Sequence, residues 1–196
     1  MNAELRNQLL SLIEEDARVR EELAADGSLF EGYHPRMEAV HRKNAARLRT
    51  ILEEYGWPGF ELVDKDGEEA VWRIVQHSIG EPDFMRSALE ILKAAVKNQQ
   101  APSWQIAYLE DRIRMFEGRL QLYGTSLDWD EQGQMSPYPA IENPEQLNER
   151  RAEMGLPPLQ KIAHIPPDEK PPADLRARRI QMDEWATSVG WRKVKR

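Results

Sequence analysis

The chain has 196 residues, of which 40% are hydrophobic and 31% are charged. This composition is typical of one globular domain with an appended tail and excludes a disordered chain. The formal net charge of −7 argues against a broad nucleic-acid-binding surface. The absence of cysteine excludes disulfides, thiolate nucleophiles and cysteine metal sites. The first residues do not form an apolar signal sequence, and no apolar run approaches the roughly 20 residues that span a bilayer. We therefore expect a cytoplasmic protein.

Apolar residues at spacings of three and four predict five helices in the first part of the chain. They cover 3–25, 35–55, about 67–78, 82–96 and 102–118. Pro35 stands near the first turn of the second helix, and Gly27 follows the first as a stop signal. The third helix is apolar on most of its surface, which predicts a central position.

Beyond Gly118 the pattern changes, and a turn signal predicts a small hairpin over about 119–140. Asn143-Pro144-Glu145 is typical of a helix start, and we expect that helix to end at Gly155. Residues 157–173 are rich in proline and predict an extended connector before a last helix over about 174–188. The expected fold is mainly α: a bundle of about five helices, a small β-hairpin, a further helix and a C-terminal helical arm. The corresponding domain boundaries are 1–156, 157–173 and 174–196.

Polar residues occupy positions where these helices should be apolar. They are Asp16, His41, Asn44, His77 and Asp111. Buried polar groups must be paired, since an unpaired one costs several kcal/mol. Such residues on four helices predict one shared interior pocket.

His77 is the predicted acid or base, because imidazole exchanges a proton near neutral pH, and Asp111 is the carboxylate predicted to orient it. The alternative is that both belong to a structural network that fixes helix register. Further residues are predicted to bind the substrate: Asp16, Gln76, Tyr108, Arg112, Gln121, Tyr123 and Thr125. For those around Gly124, the alternative is local bonding to nearby backbone. Arg150 and Arg151 could bind an anion or pair with nearby glutamates.

A metal site is a lesser alternative for this interior. Its ligands would be Asp16, His41, His77 and Asp111, which suit zinc, manganese or iron. The sequence contains no Glu-x-x-His or His-Glu-x-x-His motif. The sequence therefore does not identify a cofactor.

Several short motifs occur in one order along the chain. They are Gly56-Trp57-Pro58, Trp72 with Gln76-His77, Tyr108-Leu109-Glu110-Asp111-Arg112, Gln121-Leu122-Tyr123-Gly124-Thr125, and Arg150-Arg151 ahead of Gly155. This order resembles a bacterial family of domains of unknown function, over roughly residues 5–160. The resemblance implies a mainly helical, cytoplasmic or exported domain and marks His77, Asp111, Arg112, Gln121, Tyr123 and Thr125 as signature residues. It implies no reaction.

The leading functional hypothesis is a small-molecule enzyme with hydrolase- or lyase-like acid–base chemistry. The alternative is a non-catalytic binding or immunity-type module that meets a protein partner through its C-terminal arm, with Trp185 and Trp191. The arm ends in a basic tip that could be a solubilising tail or contact phosphate or membrane. That tip comprises Arg192, Lys193, Lys195 and Arg196.

Overall fold

A computed structural model describes residues 1–30, 32–159 and 172–193. The protein is mainly α, as predicted. The helices are α1 Ala3–Ala25, α2 Pro35–Tyr55, α3 Phe60–His77, α4 Pro82–Lys97, α5 Trp104–Glu117, α6 Leu147–Glu153 and α7 Leu175–Ser188. Strands β1 Leu127–Trp129 and β2 Met135–Pro137 pair antiparallel and form the predicted hairpin. The chain divides into two compact units, Met1–Pro102 and Ser103–Arg196. The domain boundaries drawn from the sequence stay a prediction.

The first unit is a bundle of α1 to α4 with α3 in the middle. Helix α3 contacts α1, α2 and α4, in agreement with its apolar character. The largest fully buried side chains include Leu9 of α1, Leu48 of α2, Ile74 of α3 and Leu92 of α4. These residues keep the helical spacing seen in the sequence, so the apolar stripes of all four helices meet in one core.

Helix α3 begins earlier than the sequence predicts. It starts at Phe60 rather than near residue 67, and its backbone leaves the helical region once, at Asp64, with φ 62° and ψ 178°. Val63 is fully buried, so the first turn is held by packing despite this break. The interruption explains why the continuous apolar pattern begins only after it.

The second unit is built around α5, whose Leu109, Ile113 and Phe116 are buried. The hairpin follows, and a bridge between Gln121 and Ile141 joins the segments on either side of it. A short 3₁₀ turn over Pro144–Gln146 leads into α6. A 3₁₀ turn thus begins where the sequence predicted the helix start, but the Asn143 side chain makes no capping hydrogen bond, and α6 runs only from Leu147 to Glu153 instead of reaching Gly155.

Helix α7 packs back onto α5 within the second unit. Trp191 is 4% exposed and stacks on Phe116, with ring centroids 5.3 Å apart. Arg192 links α7 to α5. Its Nε donates to the carbonyl of Phe116 at 2.7 Å, and its Nη1 pairs with Asp183 at 2.6 Å. Trp191 is therefore a core residue of this unit rather than part of an exposed apolar patch.

Among the described residues, no helix combines the length and the apolar character needed to cross a membrane. Most of the predicted proline-rich connector, together with Lys195 and Arg196 of the basic tip, lies outside the described residues.

Gly59, which precedes α3, offers a test of the packing that starts this helix. A Cβ there would meet the Cβ of Gln100 and come within 2.7 Å of the Gln100 carbonyl oxygen, which accepts the Phe60 N–H. We expect Gly59→Ala to lower the free energy of unfolding by about 1–3 kcal/mol, the usual cost of overpacking, measured by urea denaturation. In the matched control, Gly80→Ala, the nearest atom is 3.8 Å away, and the expected change is within about 0.5 kcal/mol. Equal effects of the two substitutions would contradict this account.

Candidate functional site

Three of the predicted polar residues meet in the first unit. Asp16 of α1, His41 of α2 and His77, the last residue of α3, each place one ligand-type atom within 4.8 Å of the other two. The Oδ2 atom of Asp16 lies 2.9 Å from Nδ1 of His77 and 3.2 Å from Nε2 of His41. We call this group the Asp16–His41–His77 cluster.

The three residues of the cluster differ in their exposure to solvent. The side chains of Asp16 and His41 are 3% and 10% exposed, whereas that of His77 is 31% exposed. Asp16 continues the buried stripe of Leu9, Val19 and Leu23, which explains why an ion-forming side chain lies so deep. A molecule from solvent would therefore meet the cluster at His77.

Two further side chains support the cluster. Tyr33, which sequence analysis missed, places its hydroxyl 2.8 Å from Nδ1 of His41, and its ring stacks on the imidazole with centroids 5.7 Å apart. Asn44, one turn beyond His41, donates to the carbonyl of Leu12 at 3.0 Å and so joins α2 to α1. No periodic pattern marks Tyr33, because it lies in the connection between two helices.

The surroundings of the cluster change the pKa values of Asp16 and Tyr33 in opposite directions. Burial raises the pKa of Asp16, but the two neighbouring imidazoles outweigh burial and hold this pKa well below its ordinary value. Burial also raises the pKa of Tyr33, so its phenol is neutral. The centre of the cluster is thus a carboxylate that keeps its negative charge although it is almost fully buried.

Asp111 has a different environment, in the second unit. It is fully buried, and its Oδ1 accepts the backbone N–H of Leu122 at 2.7 Å. Its Oδ2 accepts the backbone N–H and the hydroxyl of Thr125 at 2.9 and 3.0 Å, and the N–H of Tyr123 reaches both oxygens. Asp111 therefore anchors the 122–125 loop, and the carboxylate that contacts His77 is Asp16, in place of the expected Asp111.

The neighbours of this loop are bound locally as well. Gln121 is fully buried, donates to the carbonyls of Ser126 and Pro139 and accepts the N–H of Ser126. Arg150 donates to the carbonyl of Leu122 at 2.8 Å, and Arg151 donates to that of Tyr123 at 2.7 Å. These contacts match the local-bonding alternative considered for this segment, and both arginines donate to backbone carbonyls.

The remaining predicted residues have varied surroundings. Gln76 is buried beside His77 in α3, and Tyr108 is 38% exposed and meets Trp104 edge to face. Burial lowers the pKa of Arg112. A groove of about 330 Å³ on the first unit is lined by other residues, among them Arg49, Leu52, Phe84 and Ile91.

The fold and the cluster define a class of protein: a mainly α chain whose four-helix unit carries a buried carboxylate between two imidazoles. Residues 3–178 match the model of a family of unknown function (DUF6624), and the chain belongs to this family. The resemblance inferred from the ordered motifs is thereby confirmed. No curated protein and no solved structure matches the chain.

The Asp111 contacts predict a structural role that can be measured. Asp111→Asn would place an amide –NH₂ against backbone N–H donors and remove the negative charge that they stabilise. We expect the free energy of unfolding to fall by about 2–4 kcal/mol, from urea denaturation of the full chain. Glu149→Gln, the same chemical change at an exposed position of α6, should stay within about 0.5 kcal/mol of the wild type. A loss below about 1 kcal/mol for Asp111→Asn would show that the loop is held by other contacts.

Proposed function

We propose that this protein is a small-molecule enzyme of the hydrolase or lyase type, with the Asp16–His41–His77 cluster as its reaction centre. One observation carries the proposal: a partly exposed imidazole has its Nδ1 atom 2.9 Å from a carboxylate that is itself buried. A buried carboxylate fixes the orientation of an imidazole, and an oriented imidazole transfers protons efficiently at neutral pH.

The roles follow from exposure and contact. His77, the exposed member, takes a proton from the substrate or from water and returns it to the leaving group. Asp16 accepts the Nδ1–H of His77, orients the ring and stabilises the positive charge that the ring gains. This assignment keeps His77 in the role expected from the sequence and gives the orienting role of Asp111 to Asp16.

Hydrolases and lyases both need such a proton transfer. In hydrolysis, water supplies a hydroxyl group to one fragment and a proton to the other, and His77 carries that proton between them. In elimination, the same ring removes a proton from the carbon next to the bond that breaks. The substrate-binding roles of Gln76, Tyr108, Arg112, Gln121, Tyr123 and Thr125 stay predictions and are not needed for this assignment.

The test uses the full chain and a mixture of small metabolites, followed by mass spectrometry. We expect the wild type to consume at least one compound, and His77→Gln to consume it about 10²–10⁴-fold more slowly, the usual contribution of acid–base catalysis. His34→Asn is the matched control, because His34 caps α2 outside the cluster and asparagine is also a favoured capping residue.

Unchanged melting temperatures for both variants would separate lost chemistry from lost folding. Metabolite profiles that are identical for the wild type and His77→Gln would overturn the proposal.

A further inference from the structure

The acid–base roles assigned to Asp16 and His77 give no role to the buried imidazole of His41. The Nε2 atom of His41 is buried and makes no hydrogen bond of good geometry to the described residues, although Oδ2 of Asp16 is only 3.2 Å away. The great majority of buried side-chain polar atoms in proteins have a partner. The His41 side chain is nine-tenths buried, and its Nε2 lies near a carboxylate oxygen without a well-formed hydrogen bond, which calls for a specific explanation.

The contact of the other ring nitrogen, Nδ1, indicates what Nε2 of His41 can bind. Nδ1 lies 2.8 Å from the hydroxyl of Tyr33. If Nδ1 carries the ring proton, it donates to the phenol oxygen and leaves a lone pair on Nε2, directed at the cluster. Histidines that bind metals have this arrangement: their second nitrogen donates to an oxygen that fixes the tautomer and the orientation of the ring. In this protein the hydroxyl oxygen of Tyr33 takes that position.

The spacing of the three atoms fits a small cation. Ligands about 2.0–2.2 Å from zinc in a tetrahedron lie roughly 3.4 Å from one another. Oδ2 of Asp16 is 2.9 and 3.2 Å from the two nitrogens, and all three atoms lie within 4.8 Å of one another. Small side-chain movements are enough to place an ion between them.

From this geometry we infer that the cluster binds one divalent transition-metal ion, with zinc as the best match, through Asp16 Oδ2, His41 Nε2 and His77 Nδ1. Two imidazoles and a carboxylate are a ligand set that zinc accepts in catalytic sites, with a fourth position left for water. The partial exposure of His77 leaves that position on the side that a substrate can reach.

This inference rests on the proposed function for its reaction centre and its reaction class, and it changes the group that carries the proton. With the ion in place, His77 is a ligand, and the proton comes from a water molecule whose pKa the ion lowers. The hydroxide left on the ion then adds to the substrate, the bond to the leaving group breaks, and the proton goes to the leaving group. Hydrolysis is therefore favoured over elimination.

The binding test uses the full chain after dialysis against a chelator. Isothermal titration with zinc chloride should give one ion per chain, and titration with cobalt chloride should give visible absorption bands of a low-coordinate site. We expect Asp16→Asn and His41→Gln each to weaken zinc binding at least 100-fold. His77→Gln, at the most exposed ligand, gives the same readout with the least effect on folding.

Two controls make the binding result specific. Glu15→Gln is the matched control for Asp16→Asn, because Glu15 is the preceding residue of α1 and pairs with exposed Lys43. His34→Asn is the control for the histidine variants. Both should retain one ion per chain, with circular dichroism confirming the helical content of every variant.

The results distinguish the metal inference from the proposed acid–base role of His77. Absence of zinc binding, or binding that the three cluster variants leave unchanged, would overturn the metal inference. Turnover that persists in chelator yet is lost in His77→Gln would also overturn it, while supporting the proposed acid–base role. Turnover that chelator abolishes and zinc restores, together with one cluster-dependent ion, would support it.

Discussion

The burial of the Asp16 carboxylate is the constraint on which the site depends. A charged group this deep inside a helical bundle is costly unless partners compensate the loss of water. Helix α3 places Nδ1 of His77 at hydrogen-bond distance from Oδ2, and α2 places Nε2 of His41 3.2 Å from the same oxygen. Burial raises the pKa of Asp16, but the neighbouring imidazoles lower it further, so that it lies below its ordinary value. The apolar packing of α1 against α2 and α3 thus places Asp16 between the two imidazoles.

Asp111 shows what a buried carboxylate does when its partners are different. Three backbone N–H groups and one hydroxyl saturate its oxygens, so its charge is used to fix the conformation of the 122–125 loop. Fixed backbone dipoles do not exchange protons at neutral pH, whereas imidazoles do. A saturated carboxylate is therefore a structural anchor, and a carboxylate shared by two imidazoles is a candidate reaction centre.

The cluster combines buried and accessible parts in a way that suits catalysis. Asp16 and His41 are held by helix packing and by Tyr33, which fixes the imidazole through its hydroxyl and its ring. His77 stands at the end of α3, where the helix stops and the ring reaches solvent. A packed interior with one exposed edge is the arrangement expected when a substrate or an ion must be oriented by side chains that their neighbours hold in place.

The sequence by itself determined the helices and the polar positions within them, because the 3.6-residue period and the capping signals are local properties. It predicted buried positions for Asp16 and Asp111, which the structure shows to be buried, yet it could not tell the two apart, since both have the same helical pattern around them. Only the tertiary structure decided which carboxylate meets the imidazoles and which meets backbone N–H groups. The tertiary structure also showed that Tyr33 contacts His41 and that α3 begins at Phe60. Neither could be predicted, because contacts between distant segments leave no periodic pattern in the sequence.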